Sequence, residues 1–238
     1  MTWELIYAII VTCLFLGMVI YTIVSKSKNK SEKEDIERKR IEIMFSQIKP
    51  HFIYNVLNTI YYLCEKDPAQ AQKAIEEFSD YLRANLDSVS ADQIIPFEQE
   101  LNHINNYLYL EKLRFEDELR IEYDIKTKDF MVPPLTIQPL VENAVKHGLR
   151  GSEEGGTVTI STSQGEDGYT ITVSDNGVGY DPHYKSKDTK GRTHVGLANV
   201  RERLALMCGG TLDIYTAEGS GTKVTVKIPA KEKKKGRS

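Results

Sequence analysis

The uncharged run Leu5–Val24, LIYAIIVTCLFLGMVIYTIV, sets the firmest limit on how this chain folds. Roughly 20 residues at about 1.5 Å each make a helix about 30 Å long, the thickness of a bilayer's hydrocarbon core. Trp3, Tyr7 and Tyr21 stand near its ends, where amphipathic rings favour the membrane–water boundary. Lys26, Lys28, Lys30 and Lys33 follow it and only Glu4 precedes it, which puts the rest of the chain in the cytoplasm. A cleaved signal peptide would have a basic start, a shorter apolar core and a small-residue cleavage site, and this run has none of them. The expectation is a single-pass anchor in the cell (inner) membrane. With so few residues before the run, no extracellular sensor domain is expected.

The 238 residues are 27% charged and 40% hydrophobic, as in a folded protein, and a net charge of -3 gives no general case for nucleic acid. Cys13, Cys64 and Cys208 are scattered without metal or redox spacing, so buried, inert thiols in a reducing compartment are expected.

After a charged stretch, KSEKEDIERKR, the pattern is helical to about Leu63. Ile41, Met44, Phe45, Ile48, Phe52, Asn55, Val56 and Thr59 share one side. Asp67 and Pro68 break it and start a second helix, to about Asp87, with Ile75, Phe78, Leu82 and Leu86 as its stripe. Such a hairpin has too little core alone, so a four-helix bundle made by two chains, a homodimer, is the expected completion. Pro96 opens a third helix, with Leu101, Ile104 and Leu108 inward, ending near Phe115, and RIEYDI follows as a strand.

From Phe130 the composition changes. MVPPLTIQPLVENAVKHG is a helix approached through prolines, and TVTIST and YTITVSD alternate as half-buried strands do. VGLANVRERLALMCGG is a helix closed by glycines, and TLDIYTAEGSGTKVTVKIP is two strands about a turn. This mixture implies an α+β layer fold. The tail KEKKKGRS is basic and solvated.

Four segments here carry chemistry. In PLVENAVKHG the polar residues Glu142, Asn143, Lys146 and His147 lie opposite an apolar face and suit a hydrated Mg²⁺ and a polyphosphate. In SDNGVGY, Asp175 with Gly177 and Gly179 could hold an amino group and let backbone approach closely, though a turn explains the glycines as well. Gly196 stands at a helix N-terminus after the basic loop DPHYKSKDTKGRT, where backbone N–H groups bind phosphates. GSGTKV places Gly219, Gly221 and Thr222 at a strand entrance. Each is weak alone, but the four occur in order and in the right local context.

Together they resemble the GHKL ATP-binding fold shared by gyrase, Hsp90, MutL and histidine kinases. ENAVKHG matches the N box, DNGVG and VGLANVRERL the two glycine boxes, and GSGT the last. The resemblance implies ATP and Mg²⁺, with Asn143 as the metal ligand. It implies that Asp175 reads the adenine amino group, that Gly177 and Gly179 line the base pocket, that Gly196 and Leu197 meet the phosphates, and that Thr222 backs Asp175. Pro139 stands where many members have a polar or acidic residue, which leaves Glu142 as the candidate catalytic carboxylate.

QIKPHFIYNVLNTI then takes on meaning. Imidazole is a nucleophile near neutral pH. His51 lies at the margin of the apolar stripe, with Asn55 one turn on and Asn58 nearly two, and Pro50 kinks the helix beside it at about 3 kcal/mol. The stretch, with YLYLEKLRFEDEL, is similar to the phosphoacceptor region of LytS-like sensor histidine kinases, from about Ile41 to Pro229. Phe52 follows the histidine where many other histidine kinases have an acid, so the group orienting Nδ1 is not evident. The resemblance implies autophosphorylation of His51 and transfer to an aspartate of a response regulator. It also divides the chain into an anchor (1–25), a dimerisation and phosphotransfer region (26–120), an ATP-binding domain (121–230) and a tail (231–238). A silent ATP-binding adaptor, a GHKL ATPase and a serine kinase of the same fold remain as alternatives.

Overall fold

A computed structural model describes residues 50–89, 93–149, 155–179, 192–217 and 219–230. Leu5–Val24, the charged stretch, the helix expected before Pro50 and the kink expected there, most of the basic loop and the tail lie outside these residues. Among the described residues no helix is long and apolar enough to cross a membrane.

Three helices come first: α1 (Pro50–Lys66), α2 (Pro68–Val89) and α3 (Phe97–Phe115). Asp67 closes one and opens the next: its N–H donates to Leu63 O at 2.8 Å, and its Oδ1 accepts from Gln70 N–H at 3.0 Å as a cap does. α1 buries Phe52, Val56, Ile60 and Leu63, the continuation of the expected stripe. α2 departs from its expected stripe. Phe78 is buried, but Ile75 and Leu86 are 48% and 39% exposed, and Ala71, Ala74 and Tyr81 are inside instead. The reason is α3, which packs on both α1 and α2 and fixes which face of α2 is covered. The hairpin therefore gains a core within its own chain, where the sequence alone suggests a second copy.

A short pairing of β1 (Ile95–Pro96) with β3 (Met131–Val132) ties the start of α3 to the chain entering the next helix. The main sheet has the order β2 (Leu119–Ile125), β4 (Gly156–Gly165), β5 (Gly168–Asp175), β7 (Thr222–Pro229), β6 (Thr211–Thr216). β2 and β4 are parallel and every other neighbour is antiparallel. Two helices pack on it, α4 (Gln138–Gly148) on β4 and β5, and α5 (Arg192–Cys208) on β6 and β7. Alternation puts Val158 and Ile160, Ile171 and Val173, and Val224 and Val226 inward against them. This α/β layer with a mixed sheet is the expected α+β architecture. One thiol departs from expectation: Cys64 is exposed, because it lies on the outer side of α1.

Candidate functional site

Asp175 is the last inward position of β5, following Ile171 and Val173, so strand alternation carries a carboxyl onto the core side. It is only 9% exposed. Burial pushes its pKa up, and the backbone N–H groups of Gly177 and Thr222 partly offset this by bonding the carboxylate. The Gly177 bond to Oδ1 is 3.1 Å. Asp175 and Thr222 are register partners in the sheet, so Thr222 backs Asp175 through its backbone, while its hydroxyl lies 3.3 Å from that of Thr216.

The surroundings of Asp175 are built by close backbone approach. A Cβ on Gly177 would lie 2.3 Å from His147 O, and one on Gly148 3.1 Å from Asp175 Cβ. A Cβ on Gly179 would lie 2.0 Å from Ala217 O. The C-terminal end of α4 thus rests on the turn after β5, with no room for larger residues.

Along α4 the polar residues separate. Asn143 and His147 are half-buried and Lys146 is exposed, but Glu142 is buried. Its Oε1 accepts from Gln138 Nε2 at 3.0 Å, and Gln138 Nε2 also reaches Asn85 Oδ1 of α2 at 3.3 Å. Glu142 also contributes to the raised pKa values of Tyr81 and Tyr107, after the larger effect of burial. Glu142 therefore faces the three-helix layer rather than sharing an outward face with Lys146. Neighbouring helices decide this, and helical spacing alone does not show them. α5 begins at Arg192, so Gly196 lies a full turn inside it and not at the helix N-terminus that the sequence suggests; it is half-buried and an added Cβ would meet nothing within 4 Å, so packing does not demand a glycine there. Leu197 packs against the core.

His51 is exposed at the start of described α1, and its Nδ1 lies 3.1 Å from Asn55 Nδ2. Asn55 is thus the neighbour of Nδ1 that the sequence left open. Phe52, the next residue, is buried with its ring centroid 4.9 Å from that of Tyr81 and 5.2 Å from that of Tyr107. That seat fixes the helix face and leaves His51 outward. Asn58 is exposed.

Several participants are not legible in the sequence: Gln138, Asn85, Tyr81, Tyr107, the buried Glu100 and the half-buried Arg203. Glu100 did carry a signal. It lies one turn before Ile104, inside the apolar stripe of its own helix, where a charge needs a reason.

A nucleotide-binding α/β layer joined to a helical hairpin with an outward histidine is the class these features define. Residues 39–119 match the family model "Histidine kinase" and residues 134–232 match "Histidine kinase-, DNA gyrase B-, and HSP90-like ATPase". The chain is 43% identical over 195 residues to YwpD of Bacillus subtilis (strain 168), covering 79% of this chain and 70% of that protein. It is 34% identical to the sensor histidine kinase YpdA of Escherichia coli (strain K12), covering 90% of this chain and 38% of that one. It is 37% identical to the sensor protein LytS of Streptococcus mutans, covering 79% of this chain and 34% of that one. The chain thus spans little more than a third of the length of the last two. It belongs to the histidine kinase family, with a GHKL-type ATPase domain, and is similar to the LytS and YpdA sensor proteins.

Proposed function

We propose that this chain is a membrane-anchored sensor histidine kinase that phosphorylates its own His51 from ATP and passes the phosphoryl group to an aspartate of a response regulator. The observation that carries the reading is an exposed imidazole, held through Nδ1 by Asn55, in a chain of this family.

ATP binds the α/β layer, with the carboxylate of Asp175 accepting from the adenine amino group. The inward carboxyl among close-packed glycines fits a flat base edge. Asn143 would offer an amide oxygen to Mg²⁺, a cation that prefers oxygen ligands. Lys146 and His147 stand on the same turn, and Gly196, one turn inside α5, leaves room for the phosphates beside that helix. Bound metal supplies charge neutralisation on the polyphosphate. With Nδ1–H donated to Asn55, after a half-turn of that amide, the Nε2 lone pair is free. Nε2 bonds the γ-phosphorus as the bond from that phosphorus to the departing ADP oxygen breaks. Glu142, buried beneath the hairpin, acts as a positioning group for α4.

The division into anchor (1–25), phosphotransfer region (26–120) and ATP-binding domain (121–230) is retained, with Leu5–Val24 as the anchor. A second copy covers Tyr54, Leu57 and Tyr61 of α1, which stay exposed at 68%, 48% and 83% although they form one helical stripe.

Incubation with γ-labelled ATP should give acid-labile, base-stable label on the native chain and none on His51→Gln. Label retained by His51→Gln would refute the assignment. Nucleotide binding without any label would favour the silent adaptor.

A further inference from the structure

Glu100 of α3 has no exposed surface, and its carboxylate bonds the chain entering α4. It accepts from Leu135 N–H at 3.0 Å, Ile137 N–H at 2.9 Å and Gln138 N–H at 3.2 Å. Arg203 of α5 bonds the same segment through its carbonyls. Its Nη1 donates to Pro134 O at 2.7 Å and Leu135 O at 2.9 Å. The segment is thus held by an anion on its donors and a cation on its acceptors. Between them Leu135 has φ 53°, the left-handed region that a leucine adopts only when its surroundings impose it.

This arrangement bears on the nucleotide site because of what each end carries. α4 has no side-chain cap of its own, so Glu100 supplies the acceptor for its first free N–H groups from another helix. α4 holds Asn143. Arg203 lies two turns along the same helix as Gly196. One short segment therefore links the helix proposed to hold the metal to the helix proposed to hold the phosphates.

We propose that Glu100 and Arg203 are positioning residues that fix α4 and α5 at the separation a Mg²⁺-bound triphosphate requires, and so set the affinity for ATP. The proposal rests on the kinase reading for its ligand. Neither side chain needs to touch nucleotide. A clamp of this kind acts by preorganising groups that do.

The test uses the full chain in detergent, with thermal melting, titration with a fluorescent ATP analogue, and the ATP KM and kcat of His51 labelling. Arg203→Met leaves two buried carbonyls without their cation. It should weaken analogue binding and raise KM by about tenfold or more. Arg203→Lys, which keeps the charge but reaches one carbonyl at a time, should recover part of that loss. A lowered melting temperature with analogue affinity and KM within about twofold of native would make the clamp purely structural and overturn the proposal. Should Arg203→Met fail to fold, Glu100→Gln decides by the same readouts, since it keeps the shape and one acceptor oxygen. A native chain that binds analogue but never labels His51 would sink the kinase reading alone, and the clamp would then stand or fall on analogue affinity.

Discussion

Two glycines in one turn separate the cost of backbone conformation from the cost of crowding Asp175. Gly219 and Gly221 have φ 76° and 72°, so alanine at either is strained by about 1–2 kcal/mol. At Gly219 an added Cβ meets nothing within 4 Å. At Gly221 it would lie 2.0 Å from Asp175 O and 2.9 Å from Asp175 C. An ordinary carbon–oxygen contact is about 3.3 Å or more, so the β7 entrance and the end of β5 would have to part by over about 1 Å. Overpacking of that size adds about 1–3 kcal/mol. Gly219→Ala should therefore lose about 1–2 kcal/mol and Gly221→Ala about 2–5, the larger loss of the two, read from urea unfolding at neutral pH. The displaced group is the backbone of the residue proposed to read adenine. Binding of a fluorescent ATP analogue should fall in Gly221→Ala and hold in Gly219→Ala. Equal stability losses, or native affinity in Gly221→Ala, would refute the reasoning.

Asn55→Ala should slow His51 labelling by on the order of tenfold to a hundredfold with the ATP KM unchanged, because the amide orients the ring and is remote from the nucleotide site in sequence. An unaltered rate would remove Asn55 from the mechanism. Asp175 gives a pH signature. Its folded pKa is raised above the ordinary 3.8 by burial, so the folded state binds the proton more tightly than the unfolded chain. Its contribution to stability is full below that value and is lost as pH rises through the folded pKa. Asp175→Asn should flatten this part of the stability profile and leave the protein no less stable at neutral pH, yet abolish analogue binding. A variant that is destabilised at neutral pH would show that the carboxylate's hydrogen bonds outweigh its burial.

The sequence disclosed what depends on neighbours in the chain. Period-two alternation marks β4 and β5, the Gly-rich turn separates β6 from β7, and Pro68 and Pro96 mark helix starts within a residue of where they fall. Asp175 could be singled out because a carboxylate followed by Asn-Gly at a strand end is a local signal. Contacts between distant segments were not so readable. Ile75 and Leu86 look like a stripe with Phe78, and Tyr81 looks like a surface ring. Only α3 packing across the hairpin reverses them. Glu142 has the spacing of a solvent-facing residue, and α2 and α3 turn it into a buried one. The partner of Nδ1 was missed for a different reason. Asn55 is legible as a polar residue one turn from His51, but its distance to the ring is apparent only with side chains placed.

α3 is the element that the sequence valued least and the fold depends on most. Glu100, Ile104 and Tyr107 are buried at intervals of four and three residues, one face of one rigid helix. At one end of that face, Glu100 caps the helix that carries Asn143. At the other, Tyr107 supports Phe52, the residue next to His51. The residue beside His51 and the entry to α4 therefore rest on one face of one helix, a path of packed side chains within one chain. The buried amides of Gln138 and Asn85 lie beside that path, and they bind the second hairpin helix to the same turn of α4.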